Sequence, residues 1–328
     1  MIRLRPAPAG SGRTRGRDGA PAARTERPAA LAVPGLDRPL HVKLAAEPDE
    51  FRQALSLVAE KYQARGYEEP GAKAYRFTPF HALPDTATFV VKEGPRVVAT
   101  MSLVPDTALL GLPLDCIYGA EVAALRRAGR HLGEVTSLAD RDLAPREFLQ
   151  AFMVMNRLMF QYHLREGGDA WVITVHPRHR NYYVRVLGFE PLGPRRSCPS
   201  VCDHPAEAFL VDVAKMRRNA PRMHERMFGE PVPAGVLAPA PRPEGHVAYF
   251  AGRSTQAERS ELLAVARRAA LPEGVPRWRV PARPVPGDWF ADRASAAARF
   301  GLGQGRRRVR PARAAGWLAA GAAAGCGG

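Results

Sequence analysis

Glu134 stands between Leu132 and Thr136 in the stretch His131-Leu-Gly-Glu-Val-Thr-Ser-Leu-Ala, which reads as a strand. A carboxylate there needs either a partner or a task. Arg127 and Arg130 are near enough in sequence to pair with it, and a carboxylate can otherwise take a proton from a reacting group. Arg130 can itself grip a carboxylate through parallel N–H bonds or remain a solvated side chain. Thr136 and Ser137 add hydroxyl and backbone donors, and Tyr183 offers a phenol that can give up a proton or pack under Phe189. His176, His179 and Cys202 include the residue types of a Cys/His nucleophile pair. Cys198 and Cys202 have three residues between them and His204 nearby, but no second pair completes a four-ligand zinc site, so no metal is expected. With Cys116 and Cys326 they are too few for a disulfide framework and read as small buried or incidental residues.

The surrounding periodicities say which elements must carry these side chains. His41-Val-Lys-Leu-Ala begins a strand, and Glu47-Pro-Asp-Glu opens a helix with Phe51, Leu55, Val58 and Tyr62 along one face, stopping near Gly66. Thr86 to Lys92 and Arg96 to Val104 flank Glu93-Gly-Pro as an antiparallel hairpin. A short helix through Glu121 to Arg127 precedes the strand of Glu134. A long helix from Pro145 to Glu166 follows it, with Phe148, Phe152, Met155, Met159 and Tyr162 as a core stripe. Ala170-Trp-Val-Ile-Thr-Val is apolar enough for a strand covered on both faces. A helix from about Arg180 to Leu187, closed by Gly188, and a last strand from Glu207 complete a mixed sheet with helices on both sides, an α/β class.

The chain has 328 residues and a formal net charge of +16, with 31 Pro and 30 Gly. Met1 to Leu40 carries +5, His41 to Ala214 carries −1 and Lys215 to Gly328 carries +12, so the charge sits in flanks around a near-neutral stretch of single-domain size. The expected organisation is a disordered basic Pro/Ala/Arg-rich tail over 1–40, a folded domain over 41–228, a Pro-rich linker over 229–245, a helical appendage over 246–280 with its helix from Thr255 to Ala270, and a low-complexity basic tail over 281–328. The basic residues are almost all Arg beside abundant Ala, Gly and Pro, a composition that a GC-rich genome also produces and that does not by itself point to nucleic acid. No apolar run approaches the roughly 18 residues of a membrane span, and the start lacks the apolar core of a secretory signal, so the cytoplasm is the expected location.

The order of elements and the segment from Trp171 to Gly193 resemble the GNAT acyltransferase superfamily. In particular they look like its N-acyl amino acid synthase (FeeM-like) branch, which is related to acyl-homoserine lactone synthases. That branch shows a pattern close to V-x-P-R-H-x-x-(F/Y)-Y-x-x-x-L-G-F-E, matched here by Val175, Pro177, Arg178, His179, Tyr182, Tyr183, Leu187, Gly188, Phe189 and Glu190. Ala120 to Ala139 is similar to E-x-x-x-L-R-x-x-G-R-x-L-x-E-V-x-x-L-A, and Ala99 to Asp106 resembles a hairpin strand ending in S-L-V-x-D. Two positions depart from the pattern. His176 stands where Asn is commoner, and ordinary CoA-dependent members carry the helical Tyr one residue closer to Gly-Phe than Tyr183 is.

The resemblance implies a GNAT-like fold and an enzyme that joins a fatty acyl group, delivered on an acyl carrier protein, to an amino-acid amine. Acyl transfer to an amine needs a proton acceptor, donors for the carbonyl and a proton for the leaving thiol. Under that reading Glu134 and Tyr183 are the catalytic pair, and Arg130, Thr136, Ser137 and His176 bind substrate. Ordinary members hold the CoA pyrophosphate on a Gly-rich turn at a helix start, whereas Ser137-Leu-Ala-Asp-Arg-Asp-Leu-Ala-Pro-Arg-Glu-Phe has no Gly and carries acids. No cofactor is then bound, the acyl-phosphopantetheine of the carrier being a co-substrate with a CoA thioester as the alternative. Arg141, Arg146, Arg178 and Arg180 are candidate docking charges for an acidic carrier. The apolar run from Leu103 to Leu114 can help line an acyl channel or belong to the core. Two other readings compete: a CoA-dependent N-acetyltransferase, and a nucleic-acid-binding or scaffold protein on a degenerate acyltransferase fold whose Arg-rich tails contact phosphates.

Overall fold

The computed structural model describes residues 30–71, 73–239 and 241–269. Its strands are β1 (Leu31–Ala32), β2 (Leu40–Leu44), β3 (Ala87–Glu93), β4 (Arg96–Pro105), β5 (Leu132–Asp140), β6 (Ala170–Val175), β7 (Glu190–Pro191), β8 (Arg196–Cys198) and β9 (His204–Asp212). Among the described residues they form one sheet in the order β1-β2-β3-β4-β5-β6-β9-β7, with β8 also on β9. Only β5 and β6 are parallel; the other pairings are antiparallel. The mixed α/β sheet expected from the sequence is therefore present.

Helices cover both faces, because the central strands bury alternate side chains on each side. The long helix α4 (Pro145–Arg165) follows α1 (Pro48–Ala64), α2 (Pro79–Ala82) and α3 (Asp115–Arg127) along the chain. Its Phe152, Met155 and Met159 meet Phe89, Met101, Trp171 and Phe209 in the larger core. On the opposite face, α1 packs Phe51, Ala54 and Leu55 against Val90 and Val97, and α3 packs Tyr118 and Val122 against Leu132 and Val172. The α1 start is fixed by Pro48 in its first turn and by Glu50, whose carboxylate accepts from the Ala46 and Glu47 amides and from Lys43 and Lys92.

After β9 the chain adds α5 (Val213–Asn219), α6 (Pro221–Phe228), α7 (Ala234–Leu237), α8 (His246–Ala251) and α9 (Gln256–Ala269). Two expectations change here, and a third point is decided. The tail does not extend to residue 40: Leu31 and Ala32 pair with Val42 and His41, and Val33 is buried, because these few apolar residues find an open sheet edge. The Pro-rich segment 229–245 is not a free linker. Val232, Val236 and Leu237 join the larger core, and Arg242 donates to the carbonyls of His81 and Thr86. The appendage is docked, with Phe250, Leu262 and Val265 packed against Phe51, Leu55 and Phe77. Residues 1–29 and 270–328, including the expected C-terminal tail, lie outside the described residues.

The helix expected from Arg180 to Leu187 takes another form. Pro177–His179 make a 3-10 turn and Tyr182–Val186 a π-helical turn, with the Leu187 N–H on the Tyr182 carbonyl at 3.3 Å. A π turn holds one more residue than an α turn.

Candidate active site

β5 and β6 run side by side only as far as Val135 and Ile173. Beyond that point β5 stays with β4 and β6 stays with β9, so the two parallel strands part. A bulge falls at the same place: Thr100 opposes Ala139 and Ser102 opposes Thr136, giving β5 one extra residue, and Ser137 takes a φ of 57°. Bulges bend the strand that carries them. Thr136, Ser137, Thr174, Val175 and His176 line the gap, and two cavities share it.

The smaller cavity, about 160 Å³, lies on the α4 side and is walled by aromatic and apolar groups including Phe148, Phe152, Met159, Tyr182, Tyr183 and Phe189. The larger, about 910 Å³, opens on the opposite face between the Leu110–Leu114 turn, the segment from Tyr67 to His81, the β8–β9 hairpin and α9. That volume is within the range of roughly 300–1,000 Å³ usual for small-molecule sites.

Glu134 faces the larger cavity and is 4% exposed. On β5 it lies beside Val104 of β4 and Val172 of β6, and its Oε2 accepts the Leu114 N–H at 2.7 Å. Burial pushes its carboxyl up to about 8; the Leu114 amide opposes this shift, while the charges of Asp115 and Asp106 add to it. Among the described residues no ion pair joins Glu134 to Arg127 or Arg130. Raised to about 8, this carboxyl ionises on the alkaline side of neutrality, and once ionised it can take a proton from an amine.

Tyr183 faces the smaller cavity, its ring edge-on to Phe189 at 5.7 Å and to Tyr182 at 5.6 Å. Burial pushes its phenol well up, so it carries its proton. Thr136, Ser137 and His176 are at the gap itself. His176 caps the 3-10 turn, its Nδ1 accepting the Arg178 amide at 3.2 Å, and burial together with the Arg178 charge lowers its pKa.

Arg130 is corrected. It lines neither cavity; its Nε donates to Asp169 at 3.0 Å and its Nη1 to Asp212 at 3.1 Å, tying the start of β5 to the ends of neighbouring elements. The sequence placed it two residues from β5, and the fold turns it to the end of the sheet away from the gap. Of the four docking candidates, Arg178 is exposed and lines the smaller cavity. Arg141 pairs with Glu60 at 2.5 Å, Arg180 pairs with Glu207 and covers the Phe209 ring, and Arg146 reaches the Gly35 carbonyl. The run from Leu103 to Leu114 divides: Leu103 is in the core on the α4 side, whereas Val104, Leu110, Leu112, Pro113 and Leu114 wall the larger cavity.

Several lining residues had no local sequence signal. Lys73 and Arg76 bring cations to the larger cavity, Lys73 paired with Glu258 at 2.6 Å and Arg76 with Glu68, its guanidinium 4.4 Å from the Tyr62 ring centroid. Thr255, Glu258 and Glu261 make α9 part of the wall. The Thr174 hydroxyl, at the gap, and the Tyr182 hydroxyl are buried without a partner. Among the described residues no group of three or more His, Cys, Asp or Glu side chains could hold a metal ion, and no helix is long and apolar enough to cross a membrane.

The parting strands, the bulge and the buried carboxyl thus meet at one gap. Residues 53–212 match the family of the N-acyl amino acid synthase FeeM. The match covers just under half of the chain and supports an N-acyl amino acid synthase-like acyltransferase. Among solved structures it is similar to FeeM, an N-acyl amino acid synthase from uncultured soil microbes, at 29% identity over 55% of this chain and 93% of that one, with a TM-score of 0.47. It is also similar to the AHL synthase LasI (12% identity, 59% and 96% covered, TM-score 0.45) and to BjaI, a CoA-dependent acyl-homoserine lactone synthase (16%, 62% and 90%, TM-score 0.41). None of the curated proteins matches.

Proposed function

We propose that this acyltransferase joins a long-chain acyl group from an acyl carrier protein to the amine of an amino acid, with the thioester arriving through the smaller cavity and the amine through the larger. The observation that carries the reading is the position of Glu134 beside the gap where the two cavities meet. The amine nitrogen attacks the thioester carbon; the new C–N bond forms as the C–S bond breaks. Glu134 takes the proton that the amine must lose, and Tyr183 gives its proton to the departing thiolate. The apolar surroundings that make the phenol a weak acid also make a thiolate beside it a stronger base. In this reading Thr136, Ser137 and His176, which line the gap, supply the donors for the carbonyl oxygen.

Arg76 and Lys73 replace Arg130 as the groups that bind the acceptor carboxylate, since a guanidinium keeps further N–H donors after pairing with one acid. The size of the larger cavity and its apolar wall from Leu110 to Leu114 suit an acyl chain beside the amino acid.

The start of α4 supports a carrier-borne donor over CoA. There the Ala144 amide is satisfied by Glu147 at 2.9 Å, and Glu147 is itself paired with Arg38, so a carboxylate occupies the helix end where a pyrophosphate would be held. Arg178 and Arg146 are the docking charges this reading keeps for the acidic carrier. The cytoplasm, where carrier proteins and amino acids meet, is the compartment it implies.

Incubation with either long-chain acyl carrier protein or long-chain acyl-CoA, together with mixed amino acids, tests both halves by mass spectrometry. N-acyl amino acids should appear chiefly with the carrier. A faster reaction with acyl-CoA would overturn the donor, and no amide from either donor would overturn the whole reading.

A further inference from the structure

Arg126 sits between two carboxylates behind the site. Its Nε and Nη2 donate to Asp106 at 2.7 Å each, and its Nη1 and Nη2 donate to Asp115 at 2.9 and 2.7 Å. The Asp115 side chain is 1% exposed. Burying two acids against one guanidinium is an expensive way to join α3 to the end of β4, and an apolar cluster would do that at least as well.

What the cluster holds is the turn that meets Glu134. Asp115 Oδ2 accepts the Leu112 N–H at 2.8 Å, and two residues on the Leu114 N–H reaches Glu134 Oε2. From the other end, the Asp106 N–H bonds the Leu132 carbonyl of β5 at 2.9 Å, two residues before Glu134. The turn is closely fitted around the cluster: Gly111 has a φ of 63°, and a Cβ there would fall 2.3 Å from Asp115 Oδ2 and 3.1 Å from Arg126 Nη2.

We infer that Asp106, Arg126 and Asp115 are positioning residues for Glu134, presenting the Leu114 amide to its carboxylate and fixing the charge behind it. The inference rests on Glu134 being the proton acceptor. Two acids set against one guanidinium leave an excess negative charge near a carboxyl that must ionise to work. Neutralising one acid therefore eases ionisation of Glu134, and removing the guanidinium hinders it. The other titratable or charged groups around the larger cavity are Tyr62, Tyr67, Glu68, Glu69, Lys73, Arg76 and His81 on one side, Cys116, His176, Cys198, Cys202 and His204 on the other, and Glu258 and Glu261 of α9, and none of them is altered in the test.

The test is the pH dependence of kcat/KM, read as thiol release from long-chain acyl carrier protein in the presence of mixed amino acids, for wild type, Asp115→Asn, Asp106→Asn, Arg126→Met and Glu134→Gln. Folding of each is checked by circular dichroism. The inference expects the acid limb of the profile to move down by about half to one pH unit in the two Asn variants and up in Arg126→Met. Asn retains an acceptor for the Leu112 amide, so the Asn variants decide the matter should Arg126→Met fail to fold. Acid limbs unmoved in folded Asn variants, beside an inactive Glu134→Gln, would overturn this inference alone. A fully active Glu134→Gln would overturn the proton-acceptor reading and this inference with it.

Discussion

The Leu114 N–H meets Oε2 of Glu134 at 2.7 Å inside a wall of apolar side chains, so the hydrogen bond that steadies this carboxyl comes from backbone and brings no positive side chain with it. Burial raises the pKa of the carboxyl to about 8. Its titration should be visible both in rate and in stability.

For stability the sign follows from proton binding. The folded chain keeps the Glu134 proton up to about pH 8, whereas the unfolded chain loses it near 4.5. The group therefore favours folding fully below 4.5, and that contribution is lost as the pH rises to about 8. Glu134→Gln keeps an acceptor for Leu114 and removes the titration. Urea denaturation at pH 5 and pH 8.5 should show a larger loss for wild type than for the variant; equal losses would contradict the assignment.

Arg130 and Arg76 should separate cleanly. Arg130→Met breaks two part-exposed ion pairs and should cost about 1–2 kcal/mol in thermal unfolding with the acceptor KM unchanged. Arg76→Met should raise the acceptor KM about tenfold or more, the value of a charge-assisted hydrogen bond to a carboxylate. A change in KM from Arg130→Met would restore the role that its position in the fold removes.

Tyr183→Phe preserves the edge contacts with Phe189 and Tyr182 and deletes only the hydroxyl. The melting temperature should stay near wild type while kcat falls about 100-fold, the lower end for loss of a general acid. A variant with unchanged kcat would assign Tyr183 to packing.

Gly188 has a φ of 75°, and a Cβ there would lie 3.1 Å from the Ala220 Cβ and 3.4 Å from the Met216 Cα. Gly188→Ala should destabilise the domain by about 1–2 kcal/mol from the backbone alone, with any further cost depending on whether α5 can give way. Chemical denaturation with an unchanged slope checks it.

Much of the fold was readable because its elements advertise themselves locally. The stripe of Phe152, Met155 and Met159, the apolar run from Ala170 and the Gly-Pro turn between β3 and β4 each depend on neighbours within a few residues. Glu134, Thr136 and Tyr183 stood out as candidates for a related reason: an odd residue type in a regular pattern, set in blocks resembling a known family. Leu31 and Val232 were misjudged because short apolar stretches among prolines carry no periodicity. They are ordered by a sheet edge and a core surface supplied from elsewhere in the chain.

The sequence alone determined the succession of the central strands and helices, the near-neutral charge of residues 41–214 and the reaction class, since these rest on periodicity, composition and motif. Only the tertiary structure decided that Arg130 points away from the gap, that Lys73 meets Glu258 at the larger cavity that Arg76 also lines, and that Asp106, Arg126 and Asp115 stand behind Glu134. Lys73 and Glu258 are 185 residues apart in the chain. Contacts of that kind are set by how the sheet twists and where α9 docks, and residue spacing along the chain does not encode them locally.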